Sequence, residues 1–124
     1  MILEIPEIPS DARKLTQAVI QVVDMLDLYQ AELARILHLQ CADIGQLANA
    51  QKLLIVDTQA WDLACKFIHF YQLLYLYKNA DGVAMRHWLR RRNKTFEQTP
   101  HLMLVDEDRL TDLISSLRAS LKND

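Results

Sequence analysis

Apolar positions along this chain recur at helical spacing, and nowhere do they alternate as a half-buried strand would. Leu15, Ala18, Val19, Val22, Val23 and Leu26 fall on one helix face, with Ser10-Asp11 as an N-cap signal just ahead of them. Pro6 and Pro9 keep the residues before that cap extended. A second helix is predicted over Tyr29–Leu37. After a break at His38-Leu39, a third covers about Cys41–Lys52. Asp57-Thr58 offers the next cap, followed by a long helix through Trp61, Ala64, Cys65, Ile68, Leu73, Leu76 and Tyr77. That helix is apolar around most of its circumference, which marks it as the central one. Asn79–Gly82 reads as a loop. A further helix carries Val83, Met85, Trp88 and Leu89 and ends near Asn93. Residues 94–105 read as irregular, punctuated by Pro100. The last helix is predicted from Asp106 to Leu121. Asp106, Glu107 and Asp108 lie at its positive end, and Leu110, Leu113, Ile114, Leu117 and Leu121 form its apolar stripe. The pattern predicts an all-α bundle of about six helices without internal repeats.

Composition supports that pattern. The chain has 124 residues, 51% of them hydrophobic and 24% charged, enough for a core and too apolar for disorder. Only two glycines and three prolines occur, whereas hairpins rely on glycine for their turns. Cys41 and Cys65 lack CxxC spacing, which fits reduced thiols and a cytoplasmic protein. The opening MILEIPEIPS lacks the basic and long apolar regions of a signal peptide. Phe67–Tyr77, interrupted by His69 and Gln72, is too short to span a bilayer.

Charge is unevenly distributed. Net charge is −2, but residues 1–60 carry four cations against eight anions, and residues 61–124 carry ten cations against eight. The excess centres on HWLRRRNKTFEQTP, residues 87–100, a basic island in a chain that is not globally basic.

The segment QAELARILHLQCADIGQLAN, from Gln30, fits the packing template of a helix-turn-helix. Leu33, Leu37, Leu39, Ile44 and Leu47 stand where the two helices meet, and the small Ala34 stands at their closest approach. His38 replaces the favoured turn glycine, a position that needs a positive φ. An ordinary helical hairpin would show a similar pattern. A recognition helix here would present Ala42, Asp43, Gln46 and Asn49, with Gln51 and Lys52 near its end. Gln46 and Asn49 are suited to paired hydrogen bonds with adenine in a major groove. Phosphate anchoring is poor, because this helix contains no arginine and its half of the chain is acidic. DNA binding by a monomer is therefore expected to be weak.

Two readings of the arginine run stand side by side. Arg90, Arg91 and Arg92 sit at a helix C-terminus, where cations offset the macrodipole, and Asn93 suits a left-handed helix end. Alternatively the run is a binding surface.

Ala84, Trp88-Leu89, Asn93, Phe96, Pro100 and Leu102-Met103, in that order and behind a helix-turn-helix, resemble the toxin-binding domain of the Xre/MbcA/ParS antitoxin family. The resemblance covers about residues 15–121. It departs at Arg92, where the family usually has proline, at His101, where leucine usually follows the proline, and in lacking two glycines of the pattern. The resemblance implies a helix-turn-helix domain over residues 10–57 and a toxin-binding domain over residues 58–124. It also implies a homodimer and no cofactor. The implied partners are a cognate toxin, often a RES-type NAD-consuming enzyme, whose active site is covered, and operator DNA through which the operon is autorepressed. Arg90, Arg91, Arg92, Asn93, Phe96, Pro100 and Met103 would then face the toxin, with guanidinium groups suited to a pyrophosphate-binding pocket. A solitary regulator whose C-terminal part only dimerises, and a helical adaptor without DNA binding, remain as alternatives.

Catalytic chemistry is not evident. His38, His69, His87 and His101 lack zinc-site spacing, and His69 reads as a hydrogen-bonded core residue. No glycine-rich phosphate loop is present. Tyr71, Tyr75 and Tyr77 read as core or dimer interface. A binding protein, not an enzyme, is expected.

Overall fold

The computed structural model describes residues 3–122 and contains seven helices. These are α1 (Ala12–Met25), α2 (Gln30–Leu37), α3 (Cys41–Ala48), α4 (Gln59–Tyr77), α5 (Gly82–Arg90), α6 (Pro100–Val105) and α7 (Leu110–Lys122). The all-α expectation holds: among the described residues the only β-type pairing is an isolated bridge between Asn93 and Gln98. Met1, Ile2, Asn123 and Asp124, the outer ends of the predicted N-terminal segment and second domain, lie outside the described residues. No described helix is long and apolar enough to cross a membrane.

Two helix starts follow caps read from the sequence, at Asp11 and Thr58, and a third cap, Asp81, stands where the sequence read only a loop. Asp11 Oδ1 accepts hydrogen bonds from the amides of Arg13 (2.8 Å) and Lys14 (3.2 Å), opening α1. Thr58 Oγ1 accepts from the Trp61 amide at 3.2 Å and opens α4. Asp81 Oδ1 accepts from Ala84 N at 3.1 Å and opens α5.

The central helix is α4, which packs against α1, α2, α5 and α7. Ala64, Phe67, Ile68, Phe70, Tyr71 and Leu74 are fully buried along it. The N-terminal segment lies across this helix. Tyr71 Oη donates to the Leu3 carbonyl, and Gln72 Nε2 donates to the Ile5 carbonyl at 2.7 Å. One continuous set of buried residues runs from Leu15 in α1 to Leu117 in α7, so the segments either side of residue 57 share a single core.

Three boundaries differ from expectation. The third helix stops at Ala48, not Lys52. Ala50 takes a φ of 66°, and the Gln51 and Lys52 amides turn back onto the Gln46 carbonyl at 2.9 and 3.1 Å. Residues 100–105, expected to be irregular, form α6. Proline at the first helical position lacks only an N–H that would have no partner anyway, so Pro100 starts a helix here. The last helix begins at Leu110, not Asp106. Asp106 caps the end of α6 and Asp108 has a φ of 56°, so these carboxylates precede the turn they were expected to occupy.

The buried Tyr71 hydroxyl is pushed up to about 12, first by burial and then by Tyr75. In the unfolded chain a tyrosine ionises near 10, so the native state favours the neutral form. That stabilisation is complete below about pH 10 and is lost as pH rises towards about 12. The shift corresponds to roughly 2–3 kcal/mol. Urea unfolding at about pH 9 and about pH 11 is expected to show this alkaline loss, and Tyr71→Phe should flatten it.

Candidate functional site

α2 and α3 are two short helices joined by a tight turn and packed against each other. Leu33, Leu37 and Ile44 are fully buried between them, with Ala34 and Leu47 nearly so and Leu39 half-buried. His38 takes the left-handed turn, with φ 57° and ψ 43°, and the Leu39 amide closes onto the Ala34 carbonyl at 2.9 Å. A glycine at this point would relieve the Cβ crowding that His38 bears. His38 gains a partner in return, because its Nε2 lies 3.0 Å from Asp108 Oδ1. Two further contacts run the same way. Arg35 pairs with Asp106, and His101 pairs with Glu32, whose other oxygen accepts from the Tyr29 amide at 2.8 Å. The acidic stretch expected to open the last helix therefore ties α2 to the α6–α7 connection.

The predicted DNA-reading residues are only partly available. Ala42 is exposed and Gln46 half-buried on α3. Asp43 accepts from Lys52 Nζ at 2.9 Å and from the Gln40 amide at 3.1 Å, and these bonds hold its carboxyl below the usual range, Lys52 first. Lys52 is thus engaged at home. Asn49 is exposed, but its Oδ1 accepts from the Gln51 amide at 3.1 Å and ends the helix. Ala42, Gln46 and the exposed Gln51 remain as uncommitted side chains near a face whose one cation is paired.

The arginine run divides into two groups, a distinction that sequence spacing did not reveal. Arg86 Nη1 donates to the Met25 carbonyl at 3.2 Å, and Arg90 Nη2 donates to the Asp27 carbonyl at 2.6 Å. Arg86 bonds the last carbonyl of α1, and Arg90 bonds a carbonyl in the turn two residues beyond it, so Arg90 ties α5 to the turn after α1 and does not cap its own helix. Arg91 and Arg92 are exposed. Asn93 does not take the left-handed conformation. Its Oδ1 accepts from the Thr95 amide at 2.8 Å, while its backbone exchanges bonds with Gln98 and Glu97 at 2.8 Å each. Glu97, with φ 59°, supplies the left-handed turn instead. Phe96 is half-buried. Pro100 and Met103 are corrections to the predicted surface. Pro100 is buried at the start of α6, and Met103 has 0% exposure in the core, so neither is presented at the surface.

Beside the run lies an open cleft of about 510 Å³, lined by Tyr77, Lys78, Ala84, His87, Trp88, Arg91, Arg92, Asn93 and Lys94. None of the lining residues is acidic. His87 and Lys94, from the same 87–100 stretch, join the arginines here, and so does Lys78, which the sequence did not group with them. Trp88 stands half-buried, its ring 6.2 Å from Phe70.

The other histidines do not converge. His69, expected in the core, is half-buried, with Arg118 Nη2 donating to its Nε2 at 2.8 Å. Among the described residues no three of His, Cys, Asp and Glu gather as metal ligands. Both cysteines are free thiols, Cys41 exposed and Cys65 half-buried; burial, then Asp62, pushes the Cys65 thiol up.

No family model matches the chain, and no curated protein matches it significantly.

Two outcomes follow. Arg86→Ala with Arg90→Ala should lower unfolding free energy by about 1–3 kcal/mol by uncapping α1, whereas Arg91→Ala with Arg92→Ala should change it by less than about 0.5 kcal/mol; urea titration separates them. At the turn, His38→Val should cost about 1–2 kcal/mol. His38→Gly should stay within about 1 kcal/mol of wild type, since relief of the left-handed strain offsets the lost Asp108 contact.

Proposed function

We propose that this protein is a helical antitoxin that neutralises a partner toxin with the basic segment after α5 and contacts operator DNA through α2 and α3. The observation that carries the reading is the exposure of Arg91 and Arg92, unpaired with any carboxylate among the described residues, beside half-buried Trp88 and Phe96. Guanidinium forks next to aromatic groups are the composition of an interface anchor. The resemblance of Trp88-Leu89, Asn93, Phe96 and Pro100 to the toxin-binding pattern supports the same reading. The toxin-facing group is Arg91, Arg92, Asn93, Lys94 and Phe96. Arg90 is committed to the turn after α1, and Pro100 and Met103 support the segment from beneath.

A solitary regulator is the second reading, favoured by the turn geometry at His38 and the packing of Leu33, Leu37, Ile44 and Leu47. Its weakness is electrostatic. Lys52 is the cation nearest the α3 face and is bound to Asp43, so phosphate contacts from α3 are few.

The test is capture with tagged protein from host lysate, in wild-type form and as Arg91→Glu/Arg92→Glu. The antitoxin reading expects a stoichiometric small enzyme with wild type, lost with the variant while circular dichroism is unchanged. That enzyme, expressed alone, should arrest growth, and co-expression of this chain should relieve the arrest. Equal capture by both forms sinks the reading. Retention of a specific DNA fragment without a protein, abolished by Gln46→Ala, favours the solitary regulator.

A further inference from the structure

The cleft between the ends of α4 and α5 concentrates four unit cations, Lys78, Arg91, Arg92 and Lys94, with His87 beside them. None of the four forms an ion pair with a carboxylate among the described residues. Helix compensation accounts for only part of this charge. The C-termini of α4 and α5 both end here, and each contributes about −0.5 of an elementary charge. Two such ends offset about one of the four cations, leaving roughly three positive charges facing an open concavity. A surplus of that size selects an anion of multiple charge.

The shape and the remaining lining narrow the class. The volume, about 510 Å³, lies within the range of small-ligand sites. Trp88 and Tyr77 supply aromatic surface in the same wall. Trp88 is backed by the fully buried Phe70, which fixes its ring at an interplanar angle of 42°. Lys78 Nζ already lies 4.8 Å over the Tyr77 ring, so Trp88 is the aromatic group without a cation on it. Cations beside a held aromatic ring match a ligand with phosphates at one end and a flat base at the other.

We infer that this cleft is a nucleotide site, with phosphate oxygens on Arg91, Arg92 and Lys94 and the base against Trp88. It draws on Arg91, Arg92 and Lys94 of the segment assigned above to a partner toxin, but it requires only this chain and so can be tested without that partner. It is also distinct from the α3 surface. Thr16 Oγ1, near the start of α1, accepts from the Leu54 amide just past α3, whereas Arg86 reaches Met25 at the far end of α1. Those anchor points are about 14 Å apart along the helix.

Calorimetric titration of the purified full chain at low salt with ADP, with inorganic pyrophosphate and with a short single-stranded oligonucleotide tests the inference. Saturable binding of ADP or of the oligonucleotide is expected, tighter than that of pyrophosphate because the base adds its stacking. Arg91→Glu/Lys94→Glu should weaken it by about tenfold or more, while Arg13→Glu, on α1 and outside the cleft, leaves it unchanged. ADP bound without the oligonucleotide identifies a free nucleotide as the source; the reverse identifies a nucleic-acid strand. No saturable binding of either, or equal binding by the Arg91/Lys94 variant, overturns the site. ADP bound no tighter than pyrophosphate overturns the role of Trp88.

Discussion

Between Phe67 and Tyr75, α4 has no exposed residue, and the rest of the molecule is organised by the need to cover it. A helix apolar around most of its girth cannot rest on a single neighbour, so α1, α2, α5 and α7 pack on it, and the Leu3 and Ile5 carbonyls accept from Tyr71 and Gln72. Phe67, Phe70 and Tyr71 supply the largest fully buried side chains. This arrangement also sets where function can lie. Everything around α4 is committed to packing along its length, and open chemistry is left for its ends and for the connections between its neighbours.

The basic segment and the turn at His38 both occupy such connections. The cleft forms where α4 and α5 end, so two carbonyl-rich termini and the cations that answer them are brought together by the packing itself. Arg86 and Arg90 show how the division arises. Spaced one helical turn apart on α5, they reach across to the end of α1, and this direction turns Arg91 and Arg92 outward. On the other side, Arg35, His38 and Glu32 connect α2 to α6 and the residues after it. The α2–α3 pair is thus fastened to the part that carries the basic segment, not hung from it by a linker.

Much of this was legible in the sequence. The stripe Leu15 to Leu26, the caps at Asp11 and Thr58, and the apolar girth of α4 are local signals, and local signals report helices well. The positions at which α2 and α3 pack were legible for the same reason, down to the left-handed His38. What failed was decided at a distance or by small margins. Pro100 signals a break from one side and a helix start from the other, and six residues are too few for periodicity to choose. Met103 looked like a surface contact because nothing nearby in sequence says that α6 is pressed between α2, α5 and α7. Arg90 was grouped with its neighbours because the carbonyl that it serves lies 63 residues away. Lys78 was missed as a cleft residue because only folding brings the end of α4 beside the end of α5.

The turns of this protein have an unusual economy. Among the described residues eight non-glycine residues take positive φ, at Asp27, His38, Ala50, Asp57, Asn79, Ala80, Glu97 and Asp108, while both glycines sit in helices. Five of these are Asp, Asn or His, which enter the left-handed region at modest cost, whereas Ala50, Ala80 and Glu97 carry more of the steric penalty; in all of them the unfolded chain is denied the extra freedom that glycine would give it. The connections act as springs. A region that loosens, by losing its neighbours or by exchanging them for a partner's surface, releases its turn towards ordinary backbone angles. A segment that comes free at one of these points will not readily retake its turn until the packing on both sides is restored.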